Sequence, residues 1–204
     1  MTRPCLLSLV AALALAPAVR AQDSTKMANP GPAPFVNPVP GATLLYSGGL
    51  TQTIDSVRGI RTFFTDNAHN QGATVGLFII DNPKNPRTVD EKALNAFWPL
   101  KLGNKATVAI SQGQERWETT LRVVGADSVK LPAGKFATYV VEGVQAPKLV
   151  KNPKTPTIVT TWWYSPALGA VARFATTVSA GSPNAGKIRR FELLNIRAPR
   201  SAPR

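Results

Sequence analysis

The stretch Thr157-Ile158-Val159-Thr160-Thr161-Trp162-Trp163-Tyr164-Ser165-Pro166-Ala167-Leu168-Gly169-Ala170-Val171-Ala172-Arg173-Phe174 decides the fold. Two runs of β-branched and aromatic residues flank a Pro-Ala-Leu-Gly joint, which is the composition of an antiparallel hairpin. Pairing Tyr164 with Gly169 puts Trp163, Thr161 and Val159 opposite Ala170, Ala172 and Phe174. Those residues would form one core layer, with Trp162 and Tyr164 on the other face. Adjacent tryptophans must point to opposite sides of a strand. The sheet therefore carries apolar material on both faces, and a second layer, a helix or a ligand must cover the second one.

Working outward, short apolar runs alternate with turn residues at intervals of about ten residues, the rhythm of an antiparallel sheet. Strands are expected near 42–47, 50–57, 60–66, 73–80, 105–111, 115–124, 127–131, 135–145, 157–165, 169–178 and 187–196. Arg58-Gly59 can supply the positive φ of a tight hairpin, and Leu131-Pro132-Ala133-Gly134 suits a type I turn. One helix interrupts the strands. Thr88-Val89-Asp90-Glu91 fits a capping box, Leu94, Phe97 and Trp98 share a face, and Pro99 ends it. The expected fold is all-β and mainly antiparallel: a curved meander sheet or open barrel with one short helix near 88–98.

The ends of the chain read differently. Arg3 precedes the apolar run Leu6–Val19, and Val19-Arg20-Ala21 suits a signal peptidase, so residues 1–21 are expected to be a signal peptide cleaved between Ala21 and Gln22. Residues 22–40, with five prolines from Pro30 to Pro40, read as a Pro-rich linker. Residues 41–196 form a single β domain, and 197–204 a basic tail. The expected location is periplasmic or secreted.

Of 204 residues, 24 are Lys or Arg and 11 are Asp or Glu, and there is one His and one Cys. The leader removes Arg3, Arg20 and Cys5 and no acid, leaving 22 basic and 11 acidic residues, a charge of +11 and no cysteine. Without cysteine an exported domain cannot be stapled by disulfides and must rely on its core. That charge favours anions: in an envelope, lipopolysaccharide, lipid headgroups or peptidoglycan carboxylates.

Most reaction chemistries find no support. One His and scattered acids make no metal constellation, so no metal and no cofactor is expected. No Gly-x-Ser-x-Gly elbow is present, and His69 sits in the polar loop Asp66-Asn67-Ala68-His69-Asn70. Glycine spacing matches neither a P-loop nor a dinucleotide fingerprint. Glu142 and Glu192 fall within strands, where ion pairs with Arg173 and Arg190 are the structural reading and acid/base chemistry the alternative. With no recognition helix or RNP-like strand, no nucleic-acid partner is expected.

The turn Val129-Lys130-Leu131-Pro132-Ala133-Gly134-Lys135-Phe136, the strand Thr138–Glu142 and the hairpin Trp163-Tyr164-Ser165-Pro166-Ala167-Leu168-Gly169 together resemble a group of exported bacterial β-sheet domains of unknown function. Trp98-Pro99-Leu100-Lys101-Leu102-Gly103 adds to the likeness, which spans roughly residues 95–195. The resemblance implies an envelope location and a meandering, curved sheet. It brings no catalytic residues.

The leading expectation is a non-catalytic periplasmic protein that binds an apolar or anionic envelope component in the concavity of its sheet. Trp162, Tyr164, Arg173 and Arg190 are the candidate ligand-binding residues. Two alternatives stay open: a polysaccharide-acting enzyme with paired carboxylates, and an interaction subunit of an envelope complex. The partner would be a lipid, a glycan or another envelope protein.

Overall fold

A computed structural model describes residues 31–132, 134–179 and 185–199. Residues 1–21, read above as a signal peptide, residues 22–30 of the expected linker and residues 200–204 of the expected tail lie outside that range. Among the described residues, twelve strands run β1 (Thr43–Tyr46), β2 (Thr51–Arg58), β3 (Arg61–Asp66), β4 (Gln71–Val75), β5 (Ile79–Asp81), β6 (Thr88–Val89), β7 (Lys105–Gln112), β8 (Glu115–Leu131), β9 (Gly134–Leu149), β10 (Ile158–Ser165), β11 (Ala170–Val178) and β12 (Arg189–Arg197). One helix, α1 (Glu91–Ala96), follows β6.

All twelve strands form one antiparallel sheet in the order β5-β4-β3-β2-β1-β12-β11-β10-β9-β8-β7-β6. Every neighbour is also a neighbour in sequence, apart from the β1–β12 pair that joins the first strand to the last. The two edges of the sheet, β5 and β6, are themselves consecutive, linked by only residues 82–87. The sheet is thus a curled meander with one unpaired seam between β5 and β6, and it is not closed into a barrel. Short edges of two or three residues limit the unpaired backbone that such a seam exposes.

Polar contacts latch the seam. Arg61 of β3 donates to Asp81 Oδ2 on β5 at 2.8 Å and to Glu91 Oε1 on α1 at 2.6 Å. Asp81 Oδ1 accepts from the backbone N–H groups of Asn82 and Arg87, each at 2.9 Å. Gln112 Nε2 donates to Asn85 O at 3.0 Å, tying the linking loop to the β7–β8 turn.

Several local readings are corrected by the structure. The strand expected over 73–80 is broken into β4 and β5, because Gly76 and Leu77 take positive φ values of 57° and 69°. A Cβ on Gly76 would lie 2.8 Å from the Leu94 side chain, so this turn presses directly on the helix. The strands expected at 115–124 and 127–131 are one, β8, with a register shift between Val123 and Gly125 that absorbs the break. Thr88 does not cap the helix: it is hydrogen-bonded into β6 opposite Ser111. The cap is Asp90, whose Oδ1 accepts from Ala93 N at 3.0 Å. Asp90→Ala is accordingly expected to cost about 1 kcal/mol of stability, and Thr88→Ala less than about 0.5 kcal/mol; urea unfolding of the two variants checks the order.

The hairpin register also differs. Ser165 pairs with Ala170 and Tyr164 with Val171; past an irregularity, Trp163 pairs with Arg173 and Trp162 with Phe174. The irregularity at Ala172–Arg173 shifts the pairing by a further residue, which simple alternation does not foresee.

Two clusters hold the core. The first gathers α1 and its neighbours (Leu94, Phe97, Leu100) with Val75, Phe78, Leu121, Val141 and Tyr164. The second joins Leu44, Tyr46, Ile54 and Leu193 with Val129 and Leu131 of the β8–β9 hairpin, and Trp163 packs at its side. Residues 31–40, read in the sequence as linker, lie against the domain. Ala33 and Leu100 exchange backbone hydrogen bonds of 3.0 and 2.8 Å, Phe35 meets Trp98 edge-on at 5.1 Å, and Tyr139 Oη donates to Gly31 O. Ala33 keeps a free N–H between two prolines, and that is what lets this stretch pair.

Candidate functional site

The concave face encloses a cavity of about 490 Å³, within the roughly 300–1,000 Å³ of small-molecule sites. Its wall is built strand by strand from Leu44 and Tyr46 on β1, Ile54 on β2, Phe64 on β3, Gly143 on β9, Trp162 on β10 and Phe174 on β11, with Phe78 from the β4–β5 turn. Its rim is amide and hydroxyl: Gln52, Asn85, Gln112, Gln145 and Thr176, with Arg87. The closed end is filled by the aromatic stack in which Phe78 lies parallel to Trp98 at 5.7 Å and Tyr164 meets Trp98 edge-on at 5.2 Å.

Two glycines keep the lumen open. An ideal Cβ on Gly143 would fall 2.4 Å from the Trp162 ring, and one on Gly72 2.4 Å from the Phe64 ring. Each aromatic therefore lies flat on bare backbone of the neighbouring strand instead of projecting into the centre. Large rings line the space without filling it.

The four residues singled out in the sequence separate into two pairs. Trp162 and Tyr164 share the concave face: Trp162 lines the cavity, and Tyr164 is fully buried behind it. Arg173 lies on the opposite face, its Nε 2.8 Å from Glu192 Oε1 and its guanidinium 5.4 Å from the centre of the Trp163 ring. Arg190 sits opposite Ala175 on that same convex face and is exposed. Glu142 is also on the convex side, opposite Arg122 and Thr161. Asp81 is the one carboxylate lining the cavity among the described residues, and it is saturated by Arg61 and two backbone N–H groups. His69 sits exposed in the β3–β4 turn; Asp66, capping that turn, is held below the usual carboxylate range chiefly by hydrogen bonds from Asn70. Among the described residues no three His, Cys, Asp or Glu side chains converge as metal ligands, and no helix is long and apolar enough to cross a membrane.

Sequence reasoning missed Phe64, Phe78, Arg87 and the rim amides. The legible signal was a glycine inside a strand one pairing away from an aromatic, as at Gly72 with Phe64.

Burial also marks the two tyrosines nearest the lumen. Tyr46 Oη donates to Val171 O at 3.0 Å, and burial raises its phenol well above the ordinary value. Burial likewise pushes Tyr164 up to about 12 from 10.0. Both phenols ionise more readily in the unfolded chain, so their contribution is whole below about pH 10 and shrinks as the pH climbs, for Tyr164 until about pH 12. Stability is expected to fall by about 1.4 kcal/mol per pH unit for each tyrosine in that window; urea midpoints between pH 9 and 11.5 measure it, and a flat profile contradicts the burial.

A model described as "Protein of unknown function (DUF3108)" matches residues 74–185, from β4 through β11. No curated protein matches the chain. Among solved structures, the hypothetical lipoprotein YmcC from Escherichia coli (K12) is similar at 14% identity, covering 78% of this chain and 84% of that one, with a TM-score of 0.46. An exported-protein structure from Bacteroides fragilis NCTC 9343, described as having a YmcC-like fold, is similar at 17% identity over 81% of this chain and all of that one, with a TM-score of 0.46.

Proposed function

The chain belongs to the DUF3108 family of proteins of unknown function, and from that premise we propose that it is an exported, non-catalytic binding protein whose cavity holds an apolar component of the cell envelope. The observation that carries this reading is the open lumen of about 490 Å³ with aromatic walls and a polar rim of amides and hydroxyls with Arg87. Apolar walls favour an apolar guest by roughly 25 cal/mol per Å² withdrawn from water. Rim amides and hydroxyls orient it at little cost.

The export half of the proposal rests on the leader read at residues 1–21. The Pro-Ala-Gly turn and the Trp-Tyr-Ser-Pro hairpin both fall inside the matched span. We take them as marks of a group sharing this cavity, since the hairpin carries Trp162 into its wall. The polysaccharide enzyme loses ground, because Glu142 and Glu192 lie on the convex face and Glu192 is engaged by Arg173.

Native mass spectrometry of the protein purified without detergent from its own host tests the reading. One apolar species bound per chain is expected. A uniformly unliganded chain that also fails to take up added lipid contradicts it.

A further inference from the structure

The mouth of the cavity is cationic on two sides. Arg87 lines it from the seam, its guanidinium 5.5 Å from the centre of the Trp117 ring and its backbone N–H fixed by Asp81. On the other side, Arg189 pairs in register with Thr176, a lining residue. Strand alternation places Arg189 on the same face as Phe191. Phe191 stacks at 4.9 Å on Phe174, which also lines the cavity. Arg189 is exposed and has no ion pair among the described residues.

The loops at this end of the sheet add Lys84, Lys151, Lys154 and Lys187. The acids there are Asp66, Asp81, Glu115 and Glu118. Asp81 is engaged by Arg61, and Glu118 lies 3.3 Å from Lys148. The opening is therefore net positive above a lumen with apolar walls, and walls of low polarity concentrate such a field at the mouth. Guanidinium groups match carboxylate and phosphate oxygens through paired N–H donors.

Resting on the ligand-site reading above, we propose that the cavity takes a single-chain amphiphile with an anionic headgroup, the acyl chain in the lumen and the carboxylate or phosphate between Arg87 and Arg189. A volume in the lower half of the range for small-molecule sites suits one chain. The two arginines supply the charge complementarity that a neutral lipid would leave unused.

Calorimetric titration of delipidated protein, below micellar concentrations and at low salt, tests this with three probes: palmitate, lysophosphatidylglycerol and the neutral monopalmitoylglycerol. At least one anionic probe is expected to bind tenfold or more tightly than the neutral one, and which of the two does so tells carboxylate from phosphate. Arg87→Gln with Arg189→Gln, and Arg189→Gln alone as the surface variant safest for folding, are expected to erase most of that preference while leaving neutral binding in place. Equal affinities for all three probes, or a preference that survives the double variant, overturns the headgroup assignment and leaves the cavity reading standing. Binding of none of the three overturns both.

Discussion

Truncating Trp162 to alanine is expected to lower the unfolding free energy by about 2–4 kcal/mol, somewhat under the full cost of deleting a core tryptophan because the ring is only half-buried. For a chain of this size that means a fall in Tm of roughly 5–15 °C. The ring does two things at once. It covers the bare backbone at Gly143, where there is no room for even a methyl group, and it abuts Phe78 at 5.4 Å. Its loss wets the β9–β10 backbone and unsupports the stack at the closed end. Trp163→Ala is the matched control. Trp163 faces the other way, against Arg173, so its removal is expected to cost about 1–2 kcal/mol. Urea denaturation of both variants decides the matter; a larger loss at Trp163 than at Trp162 contradicts the assignment of faces.

The second large effect is expected at the seam. Asp81→Ala removes the acceptor for the Arg61 guanidinium and for the N–H groups of Asn82 and Arg87. Breaking a buried pair by deleting one partner costs about 3–5 kcal/mol. Here the loss is expected to fall somewhat below that range, at about 2–3 kcal/mol, because Arg61 is 24% exposed and keeps Glu91 at 2.6 Å. Glu91→Ala, at a side chain 42% exposed, is expected to cost under about 1 kcal/mol. Hydrogen exchange adds a local readout. In Asp81→Ala the amides of residues 82–89 should exchange faster while those of β8 and β9 keep their protection. Equal losses for the two variants, with no local opening, would mean that the latch does not hold the seam.

Much of this architecture could be read from the chain because the local signals agree with one another. Gly59, with φ 58°, makes the Arg58–Arg61 turn, and the Pro166–Gly169 joint separates β10 from β11. Apolar runs between such joints left little choice but antiparallel strands. Closure was harder. Pairing of β1 with β12 is a contact between the ends of the domain, and no pattern within either strand announces it. The seam followed from that pairing and was equally hidden.

The helix start was misplaced for a chemical reason: Thr88 and Asp90 are both good caps, and only the pairing of Thr88 with Ser111 removes it from the contest. At the site, two adjacent tryptophans do imply opposite faces, but the face that is hollow depends on curvature. Curvature brought Trp162 to the cavity and left Arg173 and Arg190 outside it. Arg87, which lines the lumen, stands in a loop, and Arg189, which pairs with the lining Thr176, stands at a strand end. Neither position carries a periodic signal.

Thr160→Trp tests the central claim most directly. Thr160 and Thr176 face each other across β10 and β11 with their hydroxyls 3.1 Å apart, and both line the lumen. An indole at position 160 fills open space and removes little packing. Titration of a fluorescent apolar probe such as N-phenyl-1-naphthylamine, with thermal unfolding of the same samples, is the measurement. The account predicts a loss of probe affinity of tenfold or more with Tm held within a few degrees. Unchanged affinity and stoichiometry in the folded variant would place the ligand elsewhere and contradict it.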